Sequence, residues 1–260
     1  MLSETKLKKY ADEAINWIKE YVEKVHAKGV VIGNSGGKDS ATVIAMTVNA
    51  LGKDKVLTVA MPCNSISKDL SDAKLVADRF GVKMLEIDLS DSYNKMEQDI
   101  NNVLEENNII SLNNESKVNM KPRFRMTCLY SIAQTLGYLV CGTGNLCEQM
   151  VGYTTKWGDS ASDFNPIANF TVDEVLAIGK YLNVPDEILV KAPSDGLGSL
   201  SDEDKMGVKY SEIAEMIETG ETENSKSKDE IIKRFKSSKH KRALVPKFYF
   251  DRKNYLVDLY

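Results

Sequence analysis

The sequence predicts an α/β protein whose parallel sheet has approximately five strands and is flanked by helices. Two observations lead to this fold class. Short apolar runs alternate with stretches of helical periodicity from residue 3 to residue 141. Glycine-bearing turns, at 33–40 and 142–145, follow two of those runs. The chain has 260 residues and is 42% apolar, which allows one sizeable core.

Each predicted element follows from its own local pattern. An amphipathic helix is expected over 3–27, because Tyr10, Trp17 and Val25 recur with other apolar residues at helical spacing. Strands are predicted at 30–32, 56–61, 84–87 and 138–141. Helices are predicted between them at 41–51, 70–80, 91–106 and 121–136, with an Asn- and Ser-rich loop at 107–119. Strands joined by helices in this order form right-handed βαβ units.

Strand patterns fade after residue 145. Helices are predicted at 171–182 and 209–218, loops at 152–166 and 192–207, and a polar, mobile stretch at 220–229. Residues 226–253 contain 11 Lys or Arg against three acids. This basic end of the chain is interpreted either as a solvated helix face or as a surface that faces phosphate.

The composition narrows the class of protein. A net charge of −4 disfavours a sequence-independent nucleic-acid binder. Neither a secretory signal nor an apolar run of about 18 residues is visible, so no membrane partner is expected. The four cysteines include no C-x-x-C pair, which disfavours zinc and dithiol chemistry. Reduced thiols in a cytoplasmic protein are the expectation.

The stretch VVIGNSGGKDSATVIAM at 30–46 indicates a phosphate-binding loop. It is not a Walker A loop, which would need a glycine where Ile32 stands and a hydroxyl where Asp39 stands. Gly36 and Gly37 let the backbone approach a ligand and turn its N–H groups toward an anion, and the following helix adds its dipole. The Asp39 carboxylate would repel that anion unless a divalent cation lay between them. Mg²⁺ is therefore expected.

The residues S-G-G-K-D-S at 35–40 resemble the signature S-G-G-x-D-S of the PP-loop ATP pyrophosphatase superfamily. Members cleave ATP between its α and β phosphates and form an adenylated intermediate. The resemblance implies an adenine-nucleotide hydrolase-like fold in which the loop cradles pyrophosphate. Lys38 occupies the variable position, so its likeness to the Walker A lysine is interpreted as accidental.

Further segments resemble the NAD synthetase family over almost the whole chain. They occur in the order NMKPRFRM (119–126), GTGNLCEQMVGYTTKWGDSASDFNPI (142–167), LVKAPS (189–194), DEDKMG (202–207) and SKHKR (238–242). This resemblance implies a single domain over 1–260 that amidates deamido-NAD to NAD through an acyl adenylate, releasing AMP and pyrophosphate. No protein nucleophile is required.

The resemblance also implies a set of site residues and partners. ATP is expected at Gly33, Asn34, Ser35, Gly36, Gly37, Lys38, Asp39, Ser40, Thr143 and Ser194. Asp39 and Glu148 are expected to act in catalysis as Mg²⁺ ligands. Deamido-NAD is expected at Arg123, Lys156, Asp163, His240 and Lys241. A homodimer is also implied.

Some points stay open at the level of sequence. The family usually has a lysine where Val172 stands and an acid where Lys205 stands. About 28 residues precede the first strand, too few for a glutaminase domain, so free ammonia is the expected donor unless a separate glutaminase subunit associates. The alternatives are another PP-loop amidase or thiolase, acting on a purine or tRNA, and a catalytically weakened nucleotide-binding paralogue.

Overall fold

A four-stranded parallel sheet organises the computed structural model, which describes residues 2–64, 67–191 and 202–248. The strand order is β3-β2-β1-β4. Their bounds are β1 Val30–Gly33, β2 Val56–Ala60, β3 Lys83–Glu86 and β4 Leu139–Cys141. The register aligns Val30 with Val56 and with Leu139. Phe164 forms a parallel bridge with Cys141. The predicted fold class is confirmed, with four strands in the described ranges where about five were expected.

Helices cover the sheet and extend beyond its edge. In chain order they are α1 Glu4–Lys24, α2 Lys38–Leu51, α3 Ser67–Phe80, α4 Ser90–Glu106, α5 Asn114–Leu136, α6 Leu146–Val151, α7 Val172–Tyr181, α8 Asp186–Leu189, α9 Asp202–Met206, α10 Tyr210–Thr219, α11 Ser225–Ser237 and α12 Lys239–Arg242. A single 3-10 turn covers Lys53–Lys55. No helix in the described ranges combines the length and the apolar character needed to cross a membrane.

Two loop predictions, and the prediction of a polar, mobile stretch at 220–229, were wrong in part. The predicted loop 107–119 gives way to α5 at residue 114, because the Asn113 side chain accepts a hydrogen bond from the Ser116 N–H at 2.8 Å and caps the helix. The polar stretch 220–229 likewise contains the start of α11, which Asn224 caps. The predicted loop 192–207 contains α9. Polar residues that cap helices were interpreted as loop residues.

The core forms on both faces of the sheet because successive strand residues point to opposite sides. Ile32 packs in one cluster with Ile18 of α1, Ile44 of α2 and Ile178 of α7. Val31, its neighbour on β1, packs on the other face among residues of β2, β4 and α5. A third cluster joins α6, α7, α9, α10 and α11. This third cluster holds α9 and α10 beside the carboxyl ends of the strands.

Candidate active site

A pocket of about 980 Å³ lies beyond the carboxyl ends of the strands. In parallel α/β sheets this edge is where ligands bind. Both glycine-bearing turns contribute to it, the first through 33–35 and 37–40 and the second through 142–144, whereas Gly36 is not part of the lining. Thr143, expected at the ATP site, lines the pocket between the two glycines of the second turn. The sequence therefore placed both turns at the same edge correctly.

The first turn is held in shape by its own side chains. Buried Asn34 donates its amide to the Ala73 carbonyl at 2.8 Å and accepts the Gly36 N–H at 3.1 Å. The Gly37 N–H donates to the Ser35 hydroxyl at 3.2 Å. Both glycine N–H groups therefore stabilise the loop itself, and the expectation that they turn toward an anion stays a prediction.

The N-terminus of α2 offers further groups that are suited to binding an anion. Gly37 is the N-cap of α2 and has no side chain that could cap the helix. The backbone N–H groups in the first helical turn of α2 have no intrahelical acceptors. The Ser40 hydroxyl lies 3.0 Å from that of Ser35 and donates to the Gly37 carbonyl at 3.1 Å. All of these residues line the pocket. An uncapped helix start facing a cavity attracts negative charge through both N–H groups and the helix dipole.

The carboxylates of Asp39 and Glu148 both form hydrogen bonds with Asn145 beside the start of α2. The buried Asn145 side chain donates to Asp39 Oδ1 at 3.4 Å. Its backbone N–H donates to Glu148 Oε2 at 2.9 Å, and its Oδ1 accepts the Glu148 N–H at 3.1 Å. This reciprocal pair is the capping box of α6. The tertiary structure thus brings together the two residues that the sequence predicts as metal ligands.

The Asp39 carboxylate shifts the pKa values of its neighbours Glu148 and Lys38. Desolvation and the neighbouring Asp39 carboxylate raise the pKa of Glu148 well above its ordinary value. Desolvation also opposes the charged form of buried Lys38, but Asp39 and Glu148 outweigh it and raise the pKa of that ammonium. Lys38 Nζ lies 2.6 Å from Asp39 Oδ2.

The residues present fit Mg²⁺. This ion commonly binds one or two carboxylates together with phosphate oxygens, and Asp39 and Glu148 line the pocket next to a helix start suited to phosphate. The described ranges contain no group of three or more His, Cys, Asp or Glu that could hold a metal ion. The donor set therefore suits an ion that arrives with a nucleotide better than one held in an all-protein cage.

The sequence did not single out three further residues near this group. Asp202 of α9 is buried and accepts hydrogen bonds from the hydroxyls of Tyr153 at 3.2 Å and Tyr210 at 3.4 Å. Burial, followed by the charges of Glu148 and Asp202, raises the pKa of Tyr210 above its ordinary value. Asp202 opens the segment DEDKMG, where only Lys205 had drawn notice. Both Asp202 and Lys205 line the pocket.

Four of the five residues predicted to bind deamido-NAD lie outside the pocket lining, namely Arg123, Lys156, Asp163 and His240, and only Lys241 lines it. Arg123 is exposed, and its Nε donates to the Lys156 carbonyl at 3.4 Å. Lys156 Nζ lies 5.4 Å from the centre of the Trp157 ring. Arg125, which had no predicted role, lines the pocket and donates from Nε to the Met61 carbonyl at 3.1 Å. The structure therefore separates the two arginines.

Asp163 and Lys241 both have partners within the chain. Asp163 accepts the Val140 N–H at 2.7 Å and the Tyr130 hydroxyl at 3.3 Å, so it fixes the position of β4. Lys241 lines the pocket and donates to the carbonyls of Gly152 at 2.8 Å and Thr154 at 2.6 Å. Desolvation lowers the pKa of this ammonium.

The last predicted positions differ in their surroundings. His240 is exposed on the four-residue helix α12. Ser194 lies outside the residues that the structure describes. Val172, where the resembling family usually has a lysine, is buried in the third cluster with Cys147. An apolar side chain suits that position.

Comparisons with known proteins point in one direction. The family profile described as NAD synthase matches residues 10–253. The NH(3)-dependent NAD(+) synthetase of Finegoldia magna is 39% identical over 248 residues, covering 95% of this chain and 98% of that protein. The protein of the same name from Carboxydothermus hydrogenoformans is 37% identical over 236 residues, covering 90% and 94%.

Solved structures share the fold. NMN synthetase from Francisella tularensis superposes with a TM-score of 0.85 at 32% identity, covering 96% of this chain and 100% of that one. The NH3-dependent NAD synthetase from Campylobacter jejuni gives a TM-score of 0.77 over 94% of this chain and 99% of the other. Its identity of 24% supports the fold alone.

Proposed function

The chain belongs to the NAD synthase family, and from this premise we propose that its pocket is where ATP, deamido-NAD and ammonia react. The protein is a ligase that amidates deamido-NAD to NAD in an ATP-dependent reaction, with ammonia as the nitrogen donor. The observation that supports this placement of the site is the Asn145 link, which holds Asp39 and Glu148 beside the uncapped start of α2.

The chemistry explains why ATP is needed. The nicotinate carboxylate repels nucleophiles, and its oxide is a poor leaving group. Attack of this carboxylate on the α-phosphorus of ATP forms an acyl–AMP bond and breaks the bond to pyrophosphate. Ammonia then attacks the acyl carbon, and AMP departs with the oxygen. Because AMP is the leaving group, no serine or cysteine nucleophile is required.

The described residues supply binding and charge stabilisation for these steps. The first-turn N–H groups of α2 and the hydroxyls of Ser35 and Ser40 would hold the β- and γ-phosphates that leave as pyrophosphate. Asp39 and Glu148 would hold Mg²⁺. When bound, this ion neutralises charge on the departing oxygens. Asn145 keeps both carboxylates oriented through its three hydrogen bonds.

The deamido-NAD subsite is assigned to Arg123, Lys156, Asp163, His240 and Lys241. Arg123 suits a phosphate or a carboxylate because its planar guanidinium can bind in a bidentate manner. Arg123 and His240 are exposed and the pocket does not include them, so a second copy of the chain is a natural way to enclose the dinucleotide. Ser194 remains assigned to ATP by resemblance alone.

A homodimer is therefore part of the proposal. Several large apolar side chains that are exposed in one copy lie on α4, on its connection to α5, and at the end of α5. They are Met96, Val103, Ile109, Ile110 and Leu136. Apolar exposure of this kind marks interaction surfaces. We place the reaction in the cytoplasm, which agrees with four cysteines that are all free thiols.

A second candidate function is the amidation of the corresponding mononucleotide, which yields NMN. The observation that favours it is the TM-score of 0.85 to a protein named NMN synthetase, with both chains covered almost completely. The reacting carboxylate, the use of ATP and the leaving group are the same in both reactions. The two candidates differ only in whether the site also binds an adenylyl half.

One assay separates these possibilities. Purified protein is incubated with ATP, Mg²⁺ and ammonium, and with either deamido-NAD or nicotinic acid mononucleotide. A higher kcat/KM for deamido-NAD, with one AMP formed per NAD, supports the first candidate. A higher value for the mononucleotide supports the second. ADP as the nucleotide product, or ligand binding without turnover, would contradict both. Glutamine in place of ammonium is the control for the nitrogen donor.

A further inference from the structure

We propose that Lys38 is a positioning residue whose ammonium forms an ion pair with the Asp39 carboxylate before ligands bind. A divalent cation that binds Asp39 must then displace this ammonium from the carboxylate. The inference rests on the proposed metal site at Asp39 and Glu148. It gives a role to the one residue of the S-G-G-K-D-S segment that the family signature leaves open.

The position of Lys38 is unusual for a lysine. Its side chain is 7% exposed, whereas lysines are almost never buried unless they are paired. Its Nζ contacts Asp39 Oδ2 at 2.6 Å and lies 5.7 Å from the centre of the Tyr210 ring. The charged form of this buried ammonium is stabilised by the neighbouring carboxylates. Lys38 also lines the pocket, so the ion pair faces the ligand space directly.

The pair leaves Asp39 with little other support. The second oxygen, Oδ1, accepts only a long 3.4 Å hydrogen bond from Asn145 among the contacts described. The ammonium therefore determines where the carboxylate points. Asp202 and Glu148 also attract the same ammonium. A single lysine thus offsets the repulsion among acidic groups contributed by three different helices.

The same oxygen cannot serve both cations well. A magnesium ion binds carboxylate oxygen at about 2.0–2.1 Å, so on Oδ2 it would share the oxygen with an ammonium already in contact, and on Oδ1 it would lie beside the same positive charge. Either the lysine side chain moves away or the metal binds weakly. Lys38 is the first residue of α2, so an ammonium that leaves Asp39 remains beside the helix start assigned to the phosphates.

The test measures metal affinity without nucleotide, so it does not depend on catalysis. Mn²⁺ is titrated into the wild-type protein and into Lys38→Met, and free Mn²⁺ is followed by electron paramagnetic resonance. Methionine is unbranched like lysine and only one atom shorter, but it carries no charge. We expect Lys38→Met to bind Mn²⁺ about tenfold more tightly, which is the scale of one partly screened charge at this distance. Lys38→Arg, which keeps the charge, should stay near wild type.

A matched control removes a lysine from an ordinary ion pair. Lys95 contacts Asp99 on exposed α4, so Lys95→Met loses the same charge and the same type of partner away from the pocket. Its Mn²⁺ affinity should equal that of wild type. An equal gain in both methionine variants would overturn the proposal, because the effect would then reflect net charge alone.

Two further outcomes are decisive. If Lys38→Met binds Mn²⁺ no more tightly than wild type, the role of Lys38 is refuted while the metal assignment stands. If the wild-type protein amidates its substrate but neither it nor Lys38→Met binds Mn²⁺, even when ATP is present, both fail. Should Lys38→Met not fold, NMR of wild-type protein labelled at the lysine Cε answers the question. Addition of Mg²⁺ must shift the Lys38 signal, and an unchanged signal would overturn the proposal.

Discussion

Replacement of Gly36 by alanine tests how the glycine-bearing loop before α2, called the phosphate loop below, packs against α3. Gly36 has φ +71°, and a Cβ built there would lie 2.7 Å from the Asp69 carbonyl oxygen, 2.7 Å from the Asp72 Cβ and 2.8 Å from the Ala73 N. Two of these three atoms belong to the backbone. The loop or the helix must therefore shift to accommodate even one methyl group.

The magnitude has two parts. A left-handed backbone costs a residue other than glycine about 1–2 kcal/mol. Forcing a methyl group into a closed contact adds about 1–3 kcal/mol. We therefore expect Gly36→Ala to lower the free energy of unfolding by about 2–5 kcal/mol. A displaced loop should also weaken ATP binding, because Asn34 ties that loop to α3 through Ala73.

Gly220→Ala is the matched control. Gly220 has φ +77°, and a Cβ there would meet nothing within 4 Å, so only the backbone strain of about 1–2 kcal/mol applies. Both variants are unfolded in urea and followed by circular dichroism, with ATP affinity measured by calorimetry. If Gly36→Ala is no less stable than Gly220→Ala, the contact between loop and helix does not restrain the loop, and the reasoning is refuted.

Three further predictions concern the ligands, the dinucleotide site and the dimer. Asp39→Asn and Glu148→Gln should each abolish turnover while the circular dichroism spectrum stays unchanged, and near-normal rates in both would contradict the metal assignment. Asp163→Ala should lower the free energy of unfolding by about 1–2 kcal/mol, since it removes one hydrogen bond to β4 and one to α5. Asp99→Ala, which removes only an ion pair within α4, should change it by less than about 0.5 kcal/mol. A raised KM for deamido-NAD with unchanged stability in Asp163→Ala would instead support substrate contact alone. Ile110→Asp should weaken the proposed dimer in sedimentation experiments, because Ile110 is 88% exposed in one copy, and an unchanged dimer would place the interface elsewhere.

Local patterns predicted much of the fold because they act over a few residues. Apolar periodicity located the four described strands and the helices of the sheet region to within a few residues. It placed the start of α5 too late and did not predict where α11 begins, and in both cases the capping asparagine lies within a polar stretch. A cap and a loop use the same polar residue types, and only the hydrogen bonds made by the side chain distinguish them.

The arginine pair illustrates a choice that the sequence could not make. Arg123 and Arg125 lie on one helix two residues apart, so their side chains point about 200° from each other. One of them must face away when the other faces the pocket. The packing of α5 on the sheet turns Arg125 inward, although the resemblance had favoured Arg123 for the substrate.

The sequence by itself determined the order of strands and helices and the phosphate loop, because each depends on spacing within a short segment. Tertiary structure alone decided that Asp202, Tyr153 and Tyr210 meet, and that Lys38 is buried against Asp39. The third cluster contains residues of α9 and α10, and Tyr210 at the start of α10 lies over Lys38, the first residue of α2 and 172 positions earlier in the chain. Burial then removes water from these groups, and their charges and hydrogen bonds gain the strength that no local pattern could reveal.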